Sequence, residues 1–237
     1  MSPRRKEKRD AKRDRVARES RPVAQEPVEK YVKNIAAKTP AQGTYIDLIE
    51  SKSVVIGYGP AGCGKTYLAV AKAVEALNKG MCERLIFSRP AVEAGEKLGF
   101  LPGDLNEKLD PYMRPIFDAM HDRFGAIRTK KLVENKTVEI APVAFLRGRT
   151  LNNAYIVIDE AQNCTMMQLK MAITRLGRNS TMIFTGDPMQ SDLPDGQSGF
   201  VKFVEKLSKV EEIGIVRLTA EDIVRHPLIS KVLSAIE

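Results

Sequence analysis

The sequence predicts an α/β fold in which a parallel β-sheet is covered by helices on both faces. Short apolar runs of strand length alternate with longer stretches of helical periodicity along most of the chain. The short runs are continuously apolar, which is typical of parallel strands that are buried on both faces. Polar motifs follow several of these runs directly, at the strand ends beyond which such sheets bind ligands.

Each element follows from this pattern in chain order. Strands are predicted over residues 53–58, 84–88, 137–142, 154–159, 180–187 and 212–218. Helices are predicted over residues 44–50, 65–80, 165–176, 199–207 and 226–236. Residues 89–104 are rich in Gly and Pro and predict a loop, while 105–135 predict two helices, the first broken by Pro111 and Pro115.

Length and composition limit the domain count and the classes of protein. A chain of 237 residues, 43% hydrophobic, supports one core or a core with a small subdomain. No apolar run approaches the ~18 residues of a membrane span, and no apolar secretory segment follows the charged start. Three separated cysteines and two isolated histidines predict neither a disulfide framework nor a zinc site, so a cytoplasmic location is the simplest interpretation.

The positive charge is concentrated at the N-terminus. Residues 1–21 hold ten Lys or Arg and four Asp or Glu, which accounts for +6 of the net charge of +8. With so few apolar side chains, residues 1–39 are predicted to be a basic, disordered tail and linker, and residues 40–237 the folded domain. The tail either contacts nucleic acid phosphates or serves solubility alone.

The segment GPAGCGKT at residues 59–66 matches the phosphate-loop pattern G-x-x-x-x-G-K-[ST]. It follows a predicted strand and begins a predicted helix, a context that argues against a chance Gly-rich turn. Lys65 is predicted to reach the β- and γ-phosphates of ATP, and Thr66 to ligate Mg²⁺. Cys63 is interpreted as a small filler. The predicted nucleotide-binding residues are Gly59, Pro60, Ala61, Gly62, Cys63, Gly64, Lys65, Thr66 and Tyr67.

The segment IVIDEAQN at residues 156–163 supplies the second half of a phosphate-loop NTPase site. Asp159 ends a predicted strand beside the first strand and is expected to hold Mg²⁺ through water. Glu160 is the candidate general base for hydrolysis. The alternative is that the two carboxylates only stabilise the dipole of a following helix. The preceding phosphate loop and the matching strand argue against this alternative.

A third motif, TGDPMQ at residues 185–190, places Gln190 in a turn after a strand, where a neutral amide can sense the γ-phosphate. The ordered set GxxxxGKT, DEAQ and GDxxQ resembles superfamily 1 helicases. In those enzymes the glutamines that correspond to Gln162 and Gln190 link the state of the nucleotide to strand binding. The resemblance therefore adds both glutamines to the catalytic set of Lys65 and Glu160.

A narrower resemblance covers roughly residues 40–237. The segments SRPAVEAGE, EKLGFLPGDL, FLRGRTLNNAYIVIDEAQN, TGDPMQSDLPDGQSGF and DIVRHPL resemble the PhoH family. This resemblance implies a cytoplasmic ATP-binding protein with a RecA-like core. Some members carry a fused PIN-type RNase domain, and the length of this chain leads us to expect a free-standing form. The family usually has Thr at the position of Cys63.

The resemblance implies further site residues. Gln42, in TPAQGTY, is expected to read the adenine edge with Tyr45 nearby, unless it is an exposed glutamine at a helix start. Helicase-like cores place arginines such as Arg89, Arg147 and Arg149 near the nucleic acid or the nucleotide. Structural salt bridges are the alternative for these three.

Superfamily 1 helicases hydrolyse ATP between two RecA-like cores, the second of which supplies an arginine finger. Only one phosphate loop occurs here, so the finger is expected from another subunit of a ring, by resemblance a hexamer. Arg225, in EDIVRHPL, is the preferred finger, with Arg175 and Arg178 as alternatives. Arg225 could instead pair with Glu221 or Asp222.

The sequence thus predicts an ATP- and Mg²⁺-dependent ATPase that remodels or unwinds RNA or single-stranded DNA. An ATP-regulated scaffold for a separate nuclease, without unwinding, is the alternative. The low aromatic content of 6%, without Trp, argues against an extensive base-stacking surface. A small-molecule kinase would leave Gln162 and Gln190 unexplained.

Overall fold

A computed structural model describes residues 35–90 and 105–224, with the backbone alone described for 105–112. Its centre is one parallel sheet with the strand order β3-β2-β4-β5-β1-β6. The strands are β1 (Val54–Tyr58), β2 (Arg84–Arg89), β3 (Val138–Pro142), β4 (Ala154–Ile158), β5 (Thr181–Gly186) and β6 (Ile213–Arg217). The predicted fold class is confirmed, and every predicted strand is present.

Six α-helices and three short 3₁₀ turns connect the strands in the described residues. The helices are α1 (Pro40–Ser51), α2 (Lys65–Asn78), α3 (Leu105–Phe124), α4 (Ala126–Glu134), α5 (Met166–Ile173) and α6 (Phe200–Leu207). The 3₁₀ turns are Val143–Leu146, Ala161–Asn163 and Ala220–Asp222. The predicted helix at 226–236 and most of the predicted loop at 89–104 lie outside the described residues.

Helix α1 begins four residues earlier than predicted because its N-terminus is capped. The Thr39 hydroxyl accepts a hydrogen bond from the backbone N–H of Gln42, and Pro40 occupies the first helical position. A threonine cap followed by proline satisfies one exposed N–H and removes another, which stabilises a helix start. This cap fixes Gln42 in the first turn.

Side chains that alternate along the strands build a separate core on each face of the sheet. Val55, Leu85, Val157 and Ile183 are buried against α1, α2 and α3. Ile56, Ile86, Ile156 and Met182 are buried against α5 and α6. Because both faces are covered, the carboxyl and amino edges of the sheet are where polar residues gather.

The prediction that Pro111 and Pro115 break the first helix of 105–135 is wrong. Helix α3 runs without interruption from Leu105 to Phe124. Its side chains Met113, Ile116 and Met120 are buried in the same core as α2. Burial of this apolar stripe outweighs the ~3 kcal/mol that a proline costs inside a helix.

The expectation that the Asp159 strand lies beside the first strand is also wrong. β4 pairs with β2 and β5, and β5 separates it from β1. Apolar runs report burial on two faces, but they do not specify which strands are neighbours. The carboxyl end of β5 therefore lies between the phosphate loop and Asp159.

Among the helices in the described part of the chain, none is both long and apolar enough to cross a membrane.

Candidate functional site

The phosphate-loop motif forms the connection from the carboxyl end of β1 to the N-terminus of α2. Gly59, Gly62 and Gly64 have φ values of 148°, 85° and 85°. A Cβ on Gly59 would lie 2.2 Å from the carbonyl oxygen of Leu218. This position therefore requires glycine for two reasons, its positive φ and this close approach. Gly64 gives α2 no side-chain cap, which leaves its first N–H groups available to an anion.

Lys65 is nearly buried and lies over this loop. Its Nζ donates to the carbonyl oxygens of Gly59, at 2.7 Å, and Pro60, at 2.8 Å, and lies 3.6 Å from Cys63 Sγ. No carboxylate in the described residues forms an ion pair with it. The ammonium group is thus held by carbonyls and remains available to a phosphate.

Asp159 follows β4 directly and is 1% exposed. Its Oδ1 accepts from the hydroxyls of Thr66, at 2.7 Å, and Thr185, while its Oδ2 accepts from Arg89 Nε, at 2.8 Å, and Nη2, at 2.6 Å. The predicted pair Thr66 and Asp159 is therefore in contact. Thr185 was not predicted, although it stands two residues before Asp187 in the quoted TGD motif.

These oxygen donors fit a hard divalent cation. Thr66 donates its proton to Asp159 and keeps lone pairs for a metal. Mg²⁺ at nucleotide sites typically takes one or two carboxylates together with phosphate oxygens. In the described residues, no group of three or more His, Cys, Asp or Glu side chains could hold a metal ion by itself.

Glu160 has a left-handed backbone, with φ 55°. Its side chain is 42% exposed and lines the same cleft as the phosphate loop. One carboxylate oxygen accepts from Gln162 Nε2 at 2.6 Å, and the other lies 3.5 Å from Arg89 Nη2. The carboxylate is therefore held between an amide and a guanidinium.

Gln162 connects this carboxylate to the segment after β5. Besides Glu160, its Nε2 donates to the carbonyl oxygen of Gln190 at 3.2 Å, and its Oε1 accepts from the backbone N–H of Asp187 at 3.0 Å. The side chain of Gln162 is 2% exposed, and its bond to the N–H of Asp187 is buried. Gln190 itself is exposed and lines the cleft.

Further contacts fasten residues 187–199 to the turn that contains Gln162. The hydroxyls of Ser191 and Ser198 donate to the carbonyl oxygen of Gln162 at 3.2 and 2.7 Å. Asn163 Nδ2 donates to Asp192 Oδ2 at 2.8 Å, and the N–H of Asp192 donates to Asn163 Oδ1 at 2.7 Å. No role was predicted for Asn163, because no spacing pattern pairs it with a residue 29 positions away.

One cleft of about 290 Å³ brings the predicted groups together at the carboxyl edge of the sheet. Its lining includes Lys65, Thr66, Tyr67, Arg89, Asp159, Glu160, Asp187 and Gln190. A larger cleft of about 610 Å³, next to it, shares Asp187 and Gln190 and is lined mainly by apolar side chains.

Gln42 is 3% exposed, so it is not the exposed helix-start residue considered as the alternative. Its Nε2 donates to the carbonyl oxygen of Cys63 at 3.1 Å, and its Oε1 accepts from the backbone N–H of Lys38 at 2.8 Å. Gln42 thus braces the phosphate loop against α1. Its contact with adenine stays a prediction.

The two tyrosines near the loop differ in environment. Tyr45 is fully buried, its hydroxyl has no hydrogen-bond partner in the described residues, and a Cβ on Gly57 would meet its ring at 2.5 Å. Burial, and secondarily the charge of Asp159, raise the pKa of Tyr45 well above its usual value. Tyr67 is 40% exposed and donates to Asp122 Oδ2 at 2.8 Å. Tyr67 lines the cleft, whereas the Tyr45 ring packs against Gly57 of β1.

The predicted arginines separate into different places. Arg89 lies in the site, and Arg147 is exposed. Arg149 forms an ion pair with Glu139 on β3, one contact being 2.7 Å, and this hydrogen bond lowers the pKa of Glu139. Arg175 and Arg178 precede β5, at the edge of the sheet opposite the phosphate loop.

Arg225, the predicted finger, lies outside the described residues. The last described residue, Val224, donates its backbone N–H to the carbonyl oxygen of Gly62 at 3.1 Å. The end of the described chain is therefore tied to the phosphate loop.

Two solved structures show partial similarity to the chain. The SWI2/SNF2 ATPase core of Sulfolobus solfataricus in complex with dsDNA aligns with a TM-score of 0.46 and 18% identity, over 82% of this chain and 47% of that chain. The large terminase of a thermophilic bacteriophage aligns with a TM-score of 0.49 and 12% identity, over 84% of this chain and 50% of that chain.

Curated sequences give much higher similarity. A PhoH-like protein of Bacillus subtilis is 53% identical over 204 residues, which cover 86% of this chain and 64% of the relative. A PhoH-like protein of Mycobacterium tuberculosis is 52% identical, covering 86% and 58%, and Protein PhoH of Escherichia coli is 47% identical, covering 85% and 58%. The match thus spans less than two thirds of each of these relatives.

The sequence model of the PhoH-like protein family matches residues 34–237. The matched range contains every described residue of the cleft. The chain belongs to the PhoH-like protein family.

Proposed function

We propose that this protein binds ATP with Mg²⁺ and hydrolyses it. The observation that carries the proposal is the arrangement of one cleft, in which Lys65 and Thr66 face Asp159 and Glu160. A cation, a hydroxyl and two carboxylates around a phosphate loop are the groups that phosphoryl transfer to water requires. Neither the name of the family nor the names of these relatives states this activity.

In this mechanism the phosphates lie along the loop and the N-terminus of α2, where uncapped N–H groups receive their charge. Lys65 leaves the loop carbonyls and pairs with the β- and γ-phosphates. Thr66 and Asp159 would hold Mg²⁺, and the bound ion would neutralise charge on the phosphate oxygens. Gln42 braces the loop from α1 and is proposed to read the adenine edge.

Glu160 is the proposed general base. It accepts a proton from a water whose oxygen forms a bond to the γ-phosphorus. The bond from the γ-phosphorus to the bridging oxygen breaks, and ADP leaves with that electron pair. Gln162 holds the carboxylate through a 2.6 Å hydrogen bond, which fixes its direction toward the cleft.

We further propose that hydrolysis drives the remodelling of RNA or single-stranded DNA. Gln162 contacts both Glu160 and the backbone of Gln190, so a shift of the carboxylate is transmitted to residues 187–199. Arg147, which is exposed, and the basic tail are the proposed phosphate contacts of the strand. An ATP-regulated scaffold for a separate nuclease is the second candidate, which the same linkage would serve without unwinding.

A ring, with six subunits as the preferred number, completes the proposal. This sequence contains one phosphate-loop motif, and an arginine finger typically contributes three to five orders of magnitude to turnover. The finger is therefore proposed to come from a neighbouring subunit, with Arg225 as the first candidate.

Turnover of ATP measured with and without RNA or single-stranded DNA tests this function. We expect the strand to stimulate turnover, and Glu160→Gln to lower it by roughly 10²–10⁴-fold while ATP still binds. Glu134→Gln, an exposed substitution on α4, is the charge-matched control and should behave as the unmodified protein. Undiminished turnover in Glu160→Gln contradicts the role as base. If neither RNA nor single-stranded DNA changes the turnover, this result contradicts remodelling and favours the scaffold.

A further inference from the structure

Arg89 makes ionic contacts with both carboxylates of the cleft. Its Nε and Nη2 lie 2.8 and 2.6 Å from Asp159 Oδ2, and its Nη2 lies 3.5 Å from Glu160 Oε1. The side chains of Arg89 and Asp159 are 13% and 2% exposed. This contact differs from the nucleic acid contact that the helicase resemblance suggests for Arg89.

The sheet itself imposes this contact. Strand β2 pairs with β4 so that Ser88 is opposite Ile158, and the N–H of Asp159 donates to the carbonyl oxygen of Ser88 at 2.8 Å. Arg89 is the last residue of β2, and Asp159 directly follows β4. Because both backbones are held by the ladder, the guanidinium and the carboxylate are positioned by rigid elements.

The charge of Arg89 is permanent, since a guanidinium does not lose its proton in proteins. It compensates a buried carboxylate that would be costly to leave unpaired. The same charge opposes any second cation at Asp159, because like charges repel more strongly in a partly buried site than in water. Free Mg²⁺ therefore meets a carboxylate pair that is already neutralised in part.

We propose that Arg89 is a positioning residue that acts as the resident counter-cation of this site. It holds Asp159 and Glu160 in place without a metal and lowers their affinity for a free divalent cation. A metal then binds together with a nucleoside triphosphate, whose phosphate charges offset Arg89. The inference rests on the proposed function only for this coupling to a nucleotide.

Electron paramagnetic resonance titration with Mn²⁺ alone, on the full chain without nucleotide, tests the inference. We expect Arg89→Gln to bind one Mn²⁺ on the order of tenfold more tightly than the unmodified protein, because removal of a nearby positive charge removes its repulsion. The double variant Arg89→Gln with Asp159→Asn should lose this gain. Arg128→Gln removes the same charge beside Asn78 and the Phe124 ring, away from the cleft, and should leave Mn²⁺ binding unchanged.

Arg89→Lys keeps the charge but not the planar fork, so its Mn²⁺ affinity should stay close to that of the unmodified protein. Equal Mn²⁺ affinity in folded Arg89→Gln and unmodified protein overturns the inference. If Arg89→Gln does not fold, thermal unfolding of the unmodified protein decides. Mg²⁺ should raise its Tm only together with a non-hydrolysable ATP analogue, and a rise with Mg²⁺ alone overturns the inference.

These outcomes separate the two proposals. Mn²⁺ binding without nucleotide does not depend on turnover, so it stands or fails independently of hydrolysis. If the unmodified protein hydrolyses ATP and Arg89→Gln gains no Mn²⁺ affinity, the inference alone fails. If Arg89→Gln gains Mn²⁺ affinity but neither the variant nor the unmodified protein hydrolyses ATP, the proposed function alone fails.

Discussion

Glu160 adopts a backbone conformation that few glutamates adopt. Its φ of 55° lies in the left-handed region, which costs an L-residue roughly 1–2 kcal/mol. Among the other described non-glycine residues with positive φ, Asn153 and Asn179 belong to the type that tolerates this region, and Lys136 lies in a turn. Glu160, the proposed general base, is thus the strained residue of the cleft. Backbone strain commonly concentrates at functional sites.

This strain predicts an order of stability among substitutions of Glu160. Glu160→Gly should have a free energy of unfolding about 0.5–1 kcal/mol higher than Glu160→Ala, because glycine adopts the left-handed region without penalty. Urea unfolding measures this difference. Both variants should lose turnover. The same pair of substitutions at Lys136 should show the same order of stability with turnover intact. Equal stability of the Gly and Ala variants at position 160 would show that the conformation is not strained.

At the residue scale, the sequence predicted the parts of the site that belong to contiguous motifs. Lys65, Thr66 and Asp159 follow from phosphate-loop and strand-end patterns, and the structure brings them into one cleft. Thr185 and Asn163 were missed because their partners stand 26 and 29 positions away. Such contacts depend on strand order, which no local pattern encodes.

At the element scale, the apolar runs predicted every strand, because burial on both faces leaves a continuous signal. The insertion of β5 between β1 and β4 was missed, since strand neighbours are decided by the crossover connections. Helix α3 persists through Pro111 and Pro115 because its packing against α2 outweighs the local preference against helix. In both cases tertiary packing decided what the local pattern left open.

The turn that contains Gln162 and the segment 187–199 are coupled elements, and their coupling is testable. In Gln162→Ala, the buried N–H of Asp187 loses its acceptor, which costs about 1–3 kcal/mol locally. We expect faster amide hydrogen exchange across residues 187–199. We also expect that RNA or single-stranded DNA no longer stimulates ATP turnover, while ATP binding is retained. Gln197→Ala, an exposed change in the same segment, is the control. Unchanged exchange in Gln162→Ala would contradict the coupling.

At the scale of the whole molecule, apolar surface remains exposed beside the candidate site. Met189 and Val201, 90% and 47% exposed, line the larger cleft of about 610 Å³ next to the phosphate loop. Exposed apolar side chains beside a cleft are common where another molecule binds. In the proposed ring, a neighbouring subunit at this edge would cover them and bring its arginine toward the γ-phosphate.

Mixed rings test whether Arg225 acts in the neighbouring subunit. Lys65→Ala and Arg225→Ala should each lose most turnover, the finger alone contributing roughly 10³–10⁵-fold. When the two proteins are mixed in equal amounts and allowed to exchange subunits, about a quarter of the interfaces join an intact loop to an intact finger, if assembly is random. Turnover should then recover well above the sum of the separate variants.

The matched control mixes Lys65→Ala with Glu160→Gln, because both residues belong to one subunit's cleft and no interface regains a complete site. A mixture of Lys65→Ala and Arg225→Ala that stays at the sum, while light scattering shows exchanged rings, would assign Arg225 to its own chain, where Glu221 and Asp222 are the nearby carboxylates in sequence.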